Sequence, residues 1–314
     1  SDWTAIFNAI AKKKPRAVFI DKSFALKLSN DQAEITKFNE AIKAIPNIIT
    51  GASYLPDQEK TFDLLPTEVQ LKSDSDWPPQ SVGFVFGPRS EYVKSFSHIG
   101  HTHSEFDGYF KPFIRTSKGF VVPHWGLWIG RPEIGDHKVL LDGEVVPTDS
   151  ENRILINLSD PDSYFDRTYS LVKVLKNARE GKELTHIDSD TIVVLLSRMY
   201  AGQASAKSSP AGPMPDGFAI TEVLNSALTN NWLHYVGYEE YFLALFCILG
   251  WIIALNYDTR RFWLILILSE LVIMEVGFIC FVLFKTILPS AFPAFGLFLT
   301  GVAVFAEKSR ISEM

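Results

Sequence analysis

Apolar residues in the first sixty positions recur at helical spacing, then at strand spacing, then at helical spacing again. Trp3, Ile6, Phe7 and Ile10 form one stripe, which predicts a helix over DWTAIFNAIAKKK ended by Pro15. AVFID (Ala17–Asp21) is a nearly continuous apolar run, as a strand buried on both faces has. Ile35, Phe38, Ile42 and Ile45 return to helical spacing, with Asn30 or Asp31 as a cap and Pro46 as a stop. NIITGASY follows as a second strand. This strand–helix–strand rhythm predicts an α/β domain with a mixed, largely parallel sheet. VGFVFG (82–87), KPFIRT (111–116), HKVLLDGEVVP (137–147), RILINLS (153–159) and TIVVLLS (191–197) supply further strands. Leu171, Val174, Leu175 and Ala178 mark a helix ending at Gly181. AGQASAKSSPAGPMPDG (201–217) is small, polar and Pro-rich, hence loop. FAITEVLNSAL (218–228) closes this region as a helix.

Beyond Trp232 the pattern changes. Three apolar stretches, about 241–257, 262–284 and 287–306, are separated only by short connectors. Each approaches the roughly 20 residues that cross a hydrocarbon core of about 30 Å, and none has the polar face of a helix buried in a soluble core. The expected organisation is an extracytoplasmic domain over 1–235, an all-α membrane domain over 236–306 and a tail over 307–314. Basic residues set the direction. Arg260 and Arg261 lie in the first connector and Lys308 and Arg310 follow the third span, whereas the second connector holds Lys285 alone. The first and third spans then run inward, the C-terminus is cytoplasmic, and an export signal or anchor is expected ahead of Ser1.

Composition sharpens this. The formal charge of the 314-residue chain is -6. From Tyr241 onward five basic and five acidic side chains cancel, so the negative charge belongs to residues 1–240. An acidic front domain argues against nucleic acid as a partner. Both cysteines, Cys247 and Cys280, fall in the apolar part, which leaves the front domain without a disulfide framework or cysteine-ligated metal. Glu270 and Glu275 sit deep inside the second apolar stretch, about 12 Å or more from either end. Five residues apart, they project about 140° apart and cannot easily share one partner. Two readings follow: a proton or ion path, or neutral carboxyls that join helices or subunits. Gly250 and Ala254, and Gly296 and Thr300, are small residues four apart and suit close helix contact.

Several stretches, in order, resemble one family, the type-two CHASE domain, an extracellular sensor of bacterial signalling proteins. AVFID resembles its strand ending in Asp, here Asp21. IGHTHSEFDGYFKPF resembles its Gly-His segment followed by Asp-Gly and a basic residue, here Gly100, His101, Asp107, Gly108 and Lys111. RILINL resembles its later strand. SPAGPMPDGFAITEVLNSAL resembles its Pro–Gly loop and following helix, with Pro210, Gly212, Pro215 and Gly217 matching. Three spans after the domain complete the likeness, which covers nearly the whole chain. The chain departs from the pattern where Leu195 and Leu196 replace an Ile-Gly, and where Thr221 and Val223 replace a His and an Asn. The resemblance implies a sensor or adaptor without catalysis of its own and without a cofactor. It would sit in the bacterial inner membrane with its head in the periplasm, and would relay a stimulus to a cyclase, kinase or separate subunit. Its partners would be the lipid bilayer and other membrane or periplasmic proteins, in an oligomer or as part of a larger assembly. The rival expectation is a structural accessory subunit of a membrane complex, possibly ion-driven.

One stretch carries candidate chemistry. HIGHTHSEFD gathers His98, His101, His103, Glu105 and Asp107, ligand types suited to zinc or a similar divalent ion. In a strand His101 and His103 would share a face. The alternative is that Gly-His is a structural element of the fold. SDSDWPP (73–79, with Asp74 and Asp76) lacks the Gly and terminal Glu of a calcium loop and reads as a solvated acidic loop. No HExxH helix, nucleophile elbow or phosphate-binding glycine loop is present.

Overall fold

The computed structural model describes residues 1–56, 71–72, 77, 83–103, 108–115, 120–160, 162–196, 206–209 and 212–312. The chain divides into two compact units, Ser1–Trp232 and Leu233–Met314. The first is mixed α/β with a partly parallel sheet. The second contains three helices long and apolar enough to cross a membrane.

In the first unit the predicted alternation appears. Helix α1 (Asp2–Ala11) is capped by the Ser1 hydroxyl, which accepts from the Thr4 N–H. The strand Ala17–Asp21 follows, buried along its whole length. Helix α2 (Gln32–Lys43) starts where the Asp31 carboxylate accepts from the Ala33 N–H. Three strands then join the first in a parallel set: Ile48–Pro56 and Ile192–Leu196 flank it, and His98–His101 pairs with the far side of Ile48–Pro56. Gly83–Phe86 adds antiparallel to residues 53–56. The first strand has partners on both sides, which is why AVFID has no polar alternation.

Both faces of this sheet are covered. Val18 and Ile20 point into a cluster with Ile6, Phe7, Ile10, Phe38 and Ile42 of α1 and α2. Ala17 and Phe19 point the other way, against Trp125 and against Ile220 and Leu224 of the helix Asp216–Thr229. Period-two alternation thus sorts one strand into two cores. Between these elements lie the short helices α3 (Ser90–Val93) and α4 (Asp162–Phe165), and α5 (Leu171–Arg179), none of whose residues is buried. The helix Asp216–Thr229 is α6.

Three expectations change. HKVLLDGEVVP is not one strand. Lys138–Leu141 pairs antiparallel with both Pro132–Gly135 and Glu144–Val146. Each connection has two residues at positive φ, Asp136 and His137 in one, Asp142 and Gly143 in the other. That is the backbone a tight right-twisted hairpin requires, and Asp-Gly is its usual sequence. The stretch read as loop over 201–217 contains an antiparallel pair, Ala206–Ser209 with Gly212–Pro215. RILINL contributes only Ile154–Leu155, paired with Tyr109–Phe110.

In the second unit α7 (Glu239–Asn256), α8 (Thr259–Phe284) and α9 (Ala291–Ser312) match the three predicted spans, and α9 continues through most of the expected tail. A two-residue parallel bridge joins His234–Tyr235 to Thr286–Ile287. Helices α7 and α9 run side by side in the same direction and in direct contact, and α8, which connects them in sequence, runs antiparallel alongside.

Candidate functional site

In open α/β sheets ligands bind beyond the carboxyl ends of parallel strands, and two of the predicted residues, Asp21 and His101, end parallel strands there. Asp21 ends its strand and is buried. The Thr50 hydroxyl donates to the Lys22 carbonyl at 2.6 Å. Gly51 has Thr102 so close that a Cβ would lie 2.8 Å from the Thr102 methyl. The Lys22 ammonium sits over the rings of Trp3 and Phe24, 5.8 and 5.7 Å from their centres. The described residues of this edge are filled by packing: Asp21, Thr50, Gly51, Ala52, His101 and Thr102 are all buried.

The Gly-His pair has a steric explanation. A Cβ on Gly100 would lie 2.4 Å from the Trp125 Cα and 2.8 Å from the Pro123 carbonyl oxygen. Only glycine lets the His98–His101 strand lie against the backbone that leads into the 3-10 turn Trp125–Ile129. At the same contact His101 forms a parallel bridge with His124. The two imidazoles meet edge to face with centres 5.2 Å apart, and both are fully buried. His124 was not singled out in the sequence, since VVPHW shows no cluster; only the pairing with His101 reveals it.

Hydrogen bonds define the chemistry of this pair. The His124 Nδ1 accepts from the Gly126 N–H at 3.2 Å and caps the 3-10 turn. The His101 Nδ1 accepts from the His103 N–H at 3.3 Å. A neutral imidazole that accepts at Nδ1 carries its proton on Nε2, so neither ring nitrogen offers a lone pair to a metal. Burial pushes the His124 imidazole down to about 3, helped by the charge of His103. Burial likewise holds His101 well below the usual histidine range, with His124 and His103 acting in the same direction. Both rings are therefore uncharged near neutrality.

The remaining candidate ligands do not join them. His98 lies three residues before His101 on the same strand, so the two point to opposite faces. Its ring stacks on Trp128 at 4.1 Å, and the Trp128 Nε1 donates to the Ile99 carbonyl. His103 is half-buried with its ring 5.0 Å from Tyr54. Glu105, Asp107, Asp74, Asp76 and Pro210 lie outside the described residues. Among the described residues no three His, Cys, Asp or Glu side chains converge as a metal would need. Gly108 adopts a φ of 92°, a conformation that favours glycine, and its carbonyl accepts from the Ile156 N–H. Pro215 ends the Gly212–Pro215 strand, and Gly217, in the first turn of α6, packs against Leu196.

The sequence reading passed over one buried carboxylate. Glu222 on α6 is fully buried. It accepts from the Ser159 N–H at 2.8 Å and from the Asn225 amide at 3.1 Å, and it bonds the Tyr164 phenol. Burial, then the Glu222 charge, pushes that phenol up. Tyr164 in turn stacks on Phe218 at 4.9 Å. The amphipathic pattern of FAITEVLNSAL places Glu222 on the inner face, and the residues that accept it are more than fifty positions away in sequence.

In the second unit the contact between α7 and α9 is built on small residues. A Cβ on Gly250 would lie 2.4 Å from the Leu297 carbonyl oxygen, and one on Gly296 2.5 Å from Leu243. Ala254 is buried beside them, and Gly301, not Thr300, is the residue that Gly250 approaches. At one end the Lys308 ammonium donates to the carbonyls of Ala254, Leu255 and Tyr257 at 2.9–3.2 Å. These are C-terminal carbonyls of α7 that the helix itself leaves open. Phe262 stacks on Phe305 at 4.1 Å next to them. Arg260, Arg261, Lys308 and Arg310 therefore belong to one end of the three-helix unit and Lys285 to the other.

Glu270 and Glu275 have separate surroundings. The inner stripe of α8 runs through Phe262, Leu266, Glu270, Ile273 and Gly277. Glu270 is half-buried there, and its Oε1 has no hydrogen-bond partner among the described residues. Glu275 is exposed. An apolar groove of about 410 Å³ opens between α7 and α8, with Phe242, Phe246, Leu249, Ile265, Leu268 and Val272 in its walls. No family model matches the chain, and neither a curated protein nor a solved structure shows significant similarity to it.

Proposed function

We propose that this chain is a membrane-anchored sensor or adaptor of the type-two CHASE kind. Residues 1–235 would lie in the periplasm or outside the cell, α7 to α9 would cross the bacterial inner membrane, and the C-terminus would face the cytoplasm. The observation that carries this reading is the distribution of cations in the second unit. Four of the five basic side chains from Tyr241 onward sit where α7 ends, α8 begins and α9 ends. An excess of Lys and Arg marks the cytoplasmic side of membrane proteins. With three alternating spans, this distribution supports an α/β unit on the opposite side.

The packing suggests how a stimulus would be passed on. Gly250, Gly296 and Gly301 bring α7 and α9 into backbone contact, and Lys308 ties their ends, so the pair moves as one body. Helix α8 is held mainly near Phe262 and Leu266 and is open along most of its length. A contact at the outer unit that favours one α8 packing over another shifts their populations, and a cytoplasmic or membrane partner reads that shift.

Two measurements test this together. Tags after Ser1 and after Met314 are expected to be labelled from opposite faces of intact cells, and labelling from one face overturns the reading. Affinity purification of the intact protein from its native membrane is expected to recover a cyclase, kinase or other signalling output. Stoichiometric recovery with a large ion-driven complex instead assigns the chain to that complex as an accessory subunit.

A further inference from the structure

We infer that α8 is the seam of a two-fold symmetric homodimer in the membrane, and that Glu275 pairs with the Glu275 of the second copy. This rests on the reading that α7 to α9 cross the bilayer. The unit shows a clear division of labour around α8. Leu266 is fully buried, and Glu275, nine residues on, lies about 180° away around the helix. Glu275 thus points directly away from α7 and α9. It lies in a row of Leu264, Leu268, Leu271, Phe278 and Val282, spaced four, three, four, three, four residues apart with Glu275 between Leu271 and Phe278; all five are 46–64% exposed, and Leu268, at the edge of the row, also borders the groove beside α7. That spacing is the heptad seam along which two helices pack at a small left-handed crossing angle.

A carboxyl at the centre of such a row is what selects the occupant. Lipid tails can neither donate to it nor accept from it, and an unpaired polar group in hydrocarbon is costly. This chain offers no cation at that depth, since its nearest basic residues along the sequence are Lys285 and Arg261 at the two ends of α8. In its acid form a carboxyl donates one hydrogen bond and accepts another, so it is complementary to itself. Copies of one chain enter the membrane in the same orientation. A two-fold axis along the membrane normal therefore sets each Glu275 opposite its equivalent at the same depth. The two acids then exchange a pair of hydrogen bonds, each O–H donating to the other's carbonyl oxygen, with no net proton transfer. A single polar pair in an apolar seam also fixes its register. Glu270, on the inner stripe, takes no part.

Cysteine cross-linking in native membranes tests this. In a Cys247→Ser, Cys280→Ser background, single cysteines replace Leu264, Leu268 or Val282 on the row, and Ile267 or Met274 about 80–100° off it. Disulfide-linked dimers are expected at the first three positions and about fivefold less at the last two. Adding Glu275→Leu is expected to weaken association about tenfold, the size of two interhelical hydrogen bonds, whereas Glu275→Gln, which still donates and accepts, retains it. Equal linking around the helix, unchanged linking with Glu275→Leu, or adducts only with a different membrane protein each overturn the proposal. Carbonate extraction of the same membranes separates the two levels. A chain that stays in the pellet but forms no dimer defeats the seam alone, and a chain released to the supernatant defeats the membrane reading as well.

Discussion

The buried histidine pair makes the α/β unit sensitive to mild acid, and the size of the effect follows from the structure. His124 titrates near 3 when folded and near the ordinary 6.5 when unfolded. Its folded value is depressed, so the unfolded chain binds the proton more readily. The stability held by the neutral ring is complete above about pH 6.5 and is lost as pH falls from there towards 3. At pH 5 the loss is about 2 kcal/mol. Any folded value below about 4 gives nearly the same figure at that pH, because the unfolded value dominates there. His101 acts in the same direction. The assay is urea unfolding of the intact protein in mild detergent, followed by tryptophan fluorescence, with Trp125 buried beside the pair. His124→Asn keeps an acceptor for the Gly126 N–H and removes the titrating ring. It should be less stable than the parent at pH 7, but its further loss between pH 7 and pH 5 should be smaller by about 2 kcal/mol. If parent and variant lose stability in parallel over that window, His124 is not buried in its neutral form and the account of the pair is wrong.

Other consequences are equally direct. Gly100→Ala forces a methyl group into the Trp125 backbone and should cost roughly 3 kcal/mol or more, read in the same urea titration; a neutral outcome would show that the strand and the 3-10 turn are not in contact. Gly250→Ala meets the Leu297 carbonyl and should separate α7 from α9, measured as a fall in thermal midpoint in detergent and faster hydrogen exchange along α9. Lys308→Met leaves three α7 carbonyls without their donor and should cost about 1–3 kcal/mol; hydrogen exchange at the end of α7 should rise, whereas Lys308→Arg should retain much of the protection.

Parts of the molecule whose pattern is local were legible in the sequence. The AVFID strand announces itself by an unbroken apolar run, and α7 to α9 do so by length and lack of polar residues, to within a few residues at each end. Where order depends on distant contacts the pattern fell silent. The hairpin at Asp142–Gly143 was written in the Asp-Gly pair, yet the apolar residues on both sides read as one strand. His98, His101 and His103 form a conspicuous cluster in sequence, but strand alternation sends His98 to Trp128 and leaves His101 facing His124, which no spacing rule connects to it. Glu222 is invisible for the same reason, since its partners Ser159 and Tyr164 come from a separate segment. The small-residue contact of α7 was foreseen at Gly250 and Ala254, whereas on α9 a step of five residues, Gly296 to Gly301, defeats a rule based on four.

The pairing of α7 with α9 rather than with its neighbour α8 also bears on biosynthesis. Of the three long helices, α7 leaves the ribosome first and has its glycine face bare, and its terminal carbonyls open, until α9 arrives. A chain shortened before α9 would leave the ribosome with that seam unsealed. Quality-control proteases that survey membranes for loose helices would therefore meet this protein chiefly as truncated or nascent chains, and seldom as the finished one.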